Sequence, residues 1–277
     1  MVATTPTTLR SVAKALPPRI RDHNLTLVAA GVAFYAFLSL VPALIAFISI
    51  YGLVADPTDV ERQVQDVASA LPPEVQNFLV KQLTSIINAN SKGVSITLVV
   101  AIVIALWSAS GGVAALVTAI NVAREHEQPM GFVAKRGKAL ALTFAAIIFL
   151  SILIFLISAL PPLLAKTGTG TAGRVVFGIV RWPIVAIVMI VGVGLLHRFA
   201  SGKTERASLG IVTPGVVVAT LGWLVVSALF AVYTANFNNY SKTYGTLASI
   251  VVILVWLWLS ALVVLIGAEV DGIVEHR

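Results

Sequence analysis

The chain has 277 residues, of which 58% are hydrophobic and only 11% charged, with a net charge of +7 and no cysteine. Soluble domains carry about 25% charged side chains, so this composition, with a mean hydropathy of +0.96, excludes an ordinary water-soluble globule. The missing cysteines exclude disulfides, thiolate metal sites and a cysteine nucleophile, and the basic residues are too dispersed, with no interleaved aromatics, for a nucleic-acid partner.

Residues 1–24 form a basic cytoplasmic N-terminal segment carrying Arg10, Lys14, Arg19 and Arg21. Residues 25–275 read as a membrane domain of six helices, over about 25–55, 94–122, 139–165, 175–197, 207–235 and 246–272. About 20 helical residues cross a hydrocarbon core of about 30 Å, and each apolar run here has at least that many. The first run is about twice the length of a signal-peptide core, so it is expected to stay as a helix. The fold class is therefore all-α, a polytopic membrane protein.

Within the first helix, "GVAFYAFLSLVP" places Gly31, Tyr35 and Ser39 one turn apart, with Pro42 three residues on. Lipid-facing positions gain nothing from small or polar side chains, so this stripe is expected to face protein. Pro42 also frees the carbonyl of Leu38, where a helix can kink. Residues 56–93 follow as an extracytoplasmic pair of amphipathic helices split at "LPPE". They suit a cap on the outer surface, or a gate or docking surface for an envelope protein partner.

The second helix puts Gly111, Ala114, Thr118 and Asn121 on one face, and the fifth does the same with Gly215, Ala219 and Gly222, beside a second stripe of Thr220, Trp223, Ser227 and Thr234. Such stripes serve either as packing seams or as a polar path. In the fourth helix, Trp182 to Leu196 covers about 22 Å, too short to span, so the helix must start near Val175 and carry Arg181 about 9 Å below its outer end. Arg181 then either snorkels to headgroups beside Trp182 or faces the bundle interior to hold an anion. "NFNNYSKTYG", ending at Tyr244 and Gly245, makes a polar hairpin before the last helix. The candidate polar path thus comprises Tyr35, Ser39, Pro42, Asn121, Arg181 and Tyr244.

The last helix ends in "LIGAEVDGIVEHR", with acids at Glu269, Asp271 and Glu275. Lys and Arg counts place both termini in the cytoplasm, with twelve basic residues on the inside against seven outside. Glu269 then sits at the inner boundary, where both the helix C-terminus and the anionic leaflet disfavour it. It is expected to pair with Arg124, Lys135, Arg136, Lys138, Arg198, Lys203 or Arg206, or else to serve as a proton-coupling carboxylate.

Four scattered histidines, with no metal-spaced acids, no phosphate-binding loop and no nucleophile elbow, give no catalytic signature, and no cofactor is implied. "REHEQP" at 124–129 reads as a solvated loop. Two functions remain: transport of a lipid or other anionic amphiphile, or a non-transporting envelope scaffold. Anionic inner-leaflet lipids are expected contacts in either case, and the chain could form a homo-oligomer.

"GVAFYAFLSLVPALIAF", "LWSASGGVAALVTAINVA", "TPGVVVATLGWLVVSALFAVY" and "YGTLASIVVILVWLWLSALVVLIGAEVDG" together resemble the YihY/BrkB inner-membrane family, once labelled ribonuclease BN. The resemblance covers about residues 19–275. It implies six transmembrane helices, both ends cytoplasmic, and an envelope role in integrity, serum resistance or lipid export.

Overall fold

A computed structural model describes residues 9–51, 96–125, 131–154, 170–200, 210–235 and 246–275. Among them are seven helices and no strand: α1 (Leu9–Asp22), α2 (Leu25–Tyr51), α3 (Ile96–Ala123), α4 (Phe132–Ile154), α5 (Gly170–Ala200), α6 (Pro214–Ala235) and α7 (Thr246–Glu275). The segment 56–93, expected to be amphipathic, lies outside the described residues.

Among the described residues, four helices contain stretches long and apolar enough to cross a membrane: Ile102–Ala123, Trp182–Ala200, Pro214–Tyr233 and Ile250–Glu275. A fifth span arises if α1 and α2, which meet at a 64° bend, count as one. The described residues therefore support four or five spans where composition suggested six. The difference lies in α2 and α4. The fourth helix begins at Phe132, ahead of the expected 139, and so takes in Lys135, Arg136 and Lys138. They stand in its first two turns, ahead of the uncharged run from Ala139 to Ile154.

The bend between α1 and α2 has a local cause. Asn24 sits in the left-handed region, with φ of 47°, which asparagine tolerates better than other non-glycine residues. Its N–H donates to the Arg21 carbonyl and its own carbonyl accepts from Leu27 and Val28, so one residue ends α1 and starts α2. The N-terminal basic segment is thereby folded into a helix packed against α7 and, less extensively, α2.

The two closest pairings are α2 with α3 and α6 with α7, and α7 also packs on α2 and α3. At that centre the side chains are small or aliphatic: Ala29, Val32, Ala119, Ile120, Ala261, Leu265 and Ala268 are buried. A smaller cluster joins α5 to α6 through Val185, Met189, Val193, Val216 and Ala219. Small residues bring helices close in lipid, where close packing replaces the hydrophobic drive. Gly215 and Gly267 show it most sharply, since a Cβ on Gly215 would overlap the Gly267 carbonyl and the Asp271 carboxylate.

The opposite face of α6 exposes Val218, Leu221, Val225, Leu229 and Val232. These positions recur at helical spacing and form one continuous apolar strip, which water-soluble surfaces rarely tolerate. Oil is the solvent this face fits.

Candidate functional site

Successive residues in an α-helix are about 100° apart, so Glu269 and Asp271 leave α7 in nearly opposite directions while Asp271 and Glu275 share a face. This splits the acidic end of α7 between two sets of partners. Glu269 is fully buried, and its carboxylate accepts from Arg19 Nε at 2.8 Å and lies 2.5 Å from His23 Nδ1. Arg19 and His23 also reach Glu125, at 3.0 and 3.3 Å. Glu125 itself adopts φ of 55° at the end of α3, an uncommon conformation for glutamate.

On the other face, Asp271 is 2% exposed and takes three contacts. The Gly215 N–H donates to Oδ1 at 2.8 Å, the Thr213 hydroxyl donates to Oδ2 at 2.8 Å, and His197 Nδ1 lies 3.1 Å from Oδ2. Thr213 also accepts from the Val216 N–H at 3.2 Å and precedes Pro214 at the first position of α6, an N-cap followed by proline. The carboxylate therefore sits on the positive end of α6, which offsets the unfavourable end of α7. The same threonine–proline pair explains why α6 starts at Pro214 where 207 was expected.

Arg124, also fully buried, ion-pairs with Glu275 and donates through Nη1 to the His197 carbonyl at 3.4 Å. The carbonyl of Ala200, last residue of α5, accepts from Lys138 Nζ at 2.5 Å and from Asn121 Nδ2 at 3.2 Å. Helix C-termini leave carbonyls unpaired and slightly negative, so cations and an amide here perform the expected capping. The ends of α3, α5 and α7, the start of α6 and the turn before α2 thus close over one ionic cluster.

A groove of about 570 Å³ opens laterally between α2 and α3. Val28, Gly31, Val32 and Tyr35 form one wall, Gly111, Ala114, Ala115, Thr118, Ala119 and Val122 the other, and Arg136 of α4 reaches it. The Arg136 guanidinium stacks 4.2 Å from the Trp107 ring and donates through Nη2 to the Trp107 carbonyl at 2.5 Å.

The expected path residues separate. Tyr35 is half exposed and lines the groove, whereas Ser39 is buried, donating to the Tyr35 carbonyl at 2.7 Å and accepting from the Gly112 N–H at 2.9 Å. Gly31 likewise faces the groove and not the bundle interior. Asn121 is buried, donating to Val117 as well as to Ala200, so it belongs to packing at the helix ends. Pro42 is half-buried within α2, which continues through it. Arg181 lies about 16 Å into α5 by helical rise, because the helix begins at Gly170 and not near Val175; its side chain, Tyr244 and His126 lie outside the described residues. Glu269 meets Arg19 and His23, neither among its seven expected partners, while Arg124, Arg136 and Lys138 go elsewhere. Nothing local could have revealed a contact across 250 positions, although Thr213-Pro214 was a readable signal.

An all-helical integral membrane protein, with the ion pairs of its described residues gathered at one end and apolar side chains turned outward, is the class these features define. The chain belongs to the BrkB family: the family described as virulence factor BrkB matches residues 17–277. It is 31% identical over 271 residues to the ribonuclease-like protein YfkH of Bacillus subtilis, covering 96% of both chains. It is 24% identical to a UPF0761 membrane protein of Alteromonas mediterranea, over 91% of this chain and 83% of that one. A UPF0761 membrane protein of Nitrosospira multiformis is 23% identical over 91% of this chain and 58% of its own length. No solved structure matches.

Proposed function

We propose that this is a six-span inner-membrane protein, with both termini cytoplasmic, that moves an anionic amphiphile along the groove between α2 and α3 in the service of the cell envelope. The observation that carries this reading is the groove itself: it opens sideways, its walls are mostly apolar, and the hydroxyl-bearing residues Tyr35 and Thr118 line it. A lipid could keep its chains in oil while its head follows the hydroxyls. The ionic cluster, in this orientation, closes the cytoplasmic end of the bundle to solutes, so that passage is lateral.

The six-span count adds α2 and α4 to the four candidate spans, and the bias of basic residues supports the orientation. No reaction is proposed. Among the described residues no three His, Asp or Glu side chains are grouped to hold a metal ion, and RNA cleavage is suggested by names alone, that of the YfkH relative and the former label of the family. The hydrogen bond from Gly112 to Ser39, which locks α2 to α3, favours a second reading, in which the bundle is a rigid envelope scaffold that binds a partner through 56–93 or a second copy of itself.

Reconstitution distinguishes the two. Purified protein in vesicles holding a trace of head-labelled phosphatidylglycerol should accelerate its exchange between leaflets over protein-free vesicles. Thr118→Phe should reduce that rate, since the added ring fills the groove. Exchange no faster than in protein-free vesicles would leave the scaffold reading.

A further inference from the structure

Arg136 is the least expected charge in the molecule. It belongs to a stretch that composition assigns to a cytoplasmic loop, yet its guanidinium rests against α3 at Trp107. By helical rise that is about 24 Å along α3 from Ala123, the residue beside the ionic cluster. Among the described residues no carboxylate pairs with it, whereas Arg19 and Arg124 are both ion-paired. Its Nε is buried without a hydrogen-bond acceptor. Guanidinium has five donors in a planar fork, and the Trp107 carbonyl takes Nη2. A cation in an apolar setting calls for an anion, and deep in a bilayer the demand is stronger.

We propose that Arg136 is the headgroup anchor of a lipid-binding site in this groove, and that the ligand is a phospholipid with a net negative, phosphate-bearing head. The Trp107 ring holds the guanidinium from one side through cation–π attraction, which orients the fork instead of leaving it to swing. Phosphate oxygens accept charge-assisted bonds from such a fork in pairs. One acyl chain lies over Val28, Val32, Ala115 and Ala119, where Gly31 and Gly111 leave room. This assignment rests on the lateral groove being the lipid path, and it adds the identity of the head to that reading. A zwitterionic head brings its own cation to the guanidinium and gains less.

Native mass spectrometry of the full-length protein, released from detergent with dioctanoyl phosphatidate, dioctanoyl phosphatidylcholine or inorganic phosphate, tests it. Wild type should bind phosphatidate at least about tenfold more tightly than phosphatidylcholine, and inorganic phosphate at the same concentration should not compete, because it lacks the chain. Arg136→Gln should remove about tenfold of the phosphatidate affinity, a loss of one charge-assisted bidentate contact, and weaken phosphatidylcholine less. Arg136→Lys should fall between, keeping charge without the fork. Thr118→Phe, which leaves Arg136 untouched, should weaken both lipids and keeps the test alive if Arg136→Gln fails to fold. Equal phosphatidate binding by wild type and Arg136→Gln, or full competition by inorganic phosphate, would overturn the proposal. Binding that follows these expectations in a protein without leaflet exchange would retain the site and remove the transport reading. Exchange that persists unchanged in Arg136→Gln would do the reverse.

Discussion

Replacing Asp271 with alanine removes the one acceptor that the start of α6 shares with α7. Two donors lose it outright, the Gly215 N–H and the Thr213 hydroxyl, each 2.8 Å from a carboxylate oxygen, and His197 loses its partner at 3.1 Å. Each buried donor left without an acceptor costs about 1–3 kcal/mol, and loss of the negative charge at a helix N-terminus costs roughly 0.3–1 kcal/mol more. Relaxation recovers part, because Thr213 still caps Val216, so a total near 3–4 kcal/mol is expected. For a chain of this size about 1 kcal/mol moves the melting midpoint roughly 2–4 °C, which puts Asp271→Ala about 10 °C below wild type. Asp271→Asn keeps an acceptor for Gly215 and loses only the charge and one oxygen, so about a third of that shift is expected. The assay is unfolding of the purified protein in mild detergent, followed by loss of the monodisperse peak in size-exclusion chromatography. If both variants melted within about 2 °C of wild type, the claim that Asp271 ties α7 to the head of α6 would be refuted.

Gly215→Ala should destabilise by about 1–3 kcal/mol, the usual cost of overpacking, since its Cβ would strike the Gly267 carbonyl, and backbone cannot swing aside as a side chain can; thermal unfolding in detergent reads it directly. Glu269→Gln should cost about 2–3 kcal/mol, below the roughly 3–5 kcal/mol of a severed buried pair, because Arg19 keeps Glu125 at 3.0 Å. Adding Arg19→Met should recover part of that loss in a double-mutant cycle, and strict additivity would argue that the two do not interact.

Much of the architecture could be read from residue type alone, because lipid and protein ask for different side chains. The stripe of Gly111, Ala114 and Thr118 is a wall of the groove, and the glycines at 215 and 267 mark where α6 and α7 touch. Membership of the BrkB family was likewise visible in the apolar segments. What local patterns do not carry is which charge meets which. The acids of α7 needed cations, but the choice of Arg19 and His23 for Glu269 depends on the turn at Asn24 carrying α1 back over the end of α7. Basic residues near a terminus also serve as a topology signal, and that role concealed their structural one. Ser39 and Asn121 were ambiguous for a related reason: a hydroxyl or amide at depth is equally suited to a wet path or to a neighbouring backbone, and here each has backbone partners. Arg136 escaped because a helix starting at Phe132, instead of at 139, is needed to bring it to Trp107.

A chain without cysteine accepts a single labelled position without background, and Thr118 is the one to choose, since it is exposed on the groove wall. A nitroxide attached to Thr118→Cys in liposomes, probed by collision with oxygen and with a water-soluble nickel complex, reports whether that wall meets oil, water or protein. Lateral opening to the bilayer predicts high oxygen and low nickel accessibility. High nickel accessibility would make it an aqueous cleft and low accessibility to both a packed seam, and either result would contradict a groove that admits lipid.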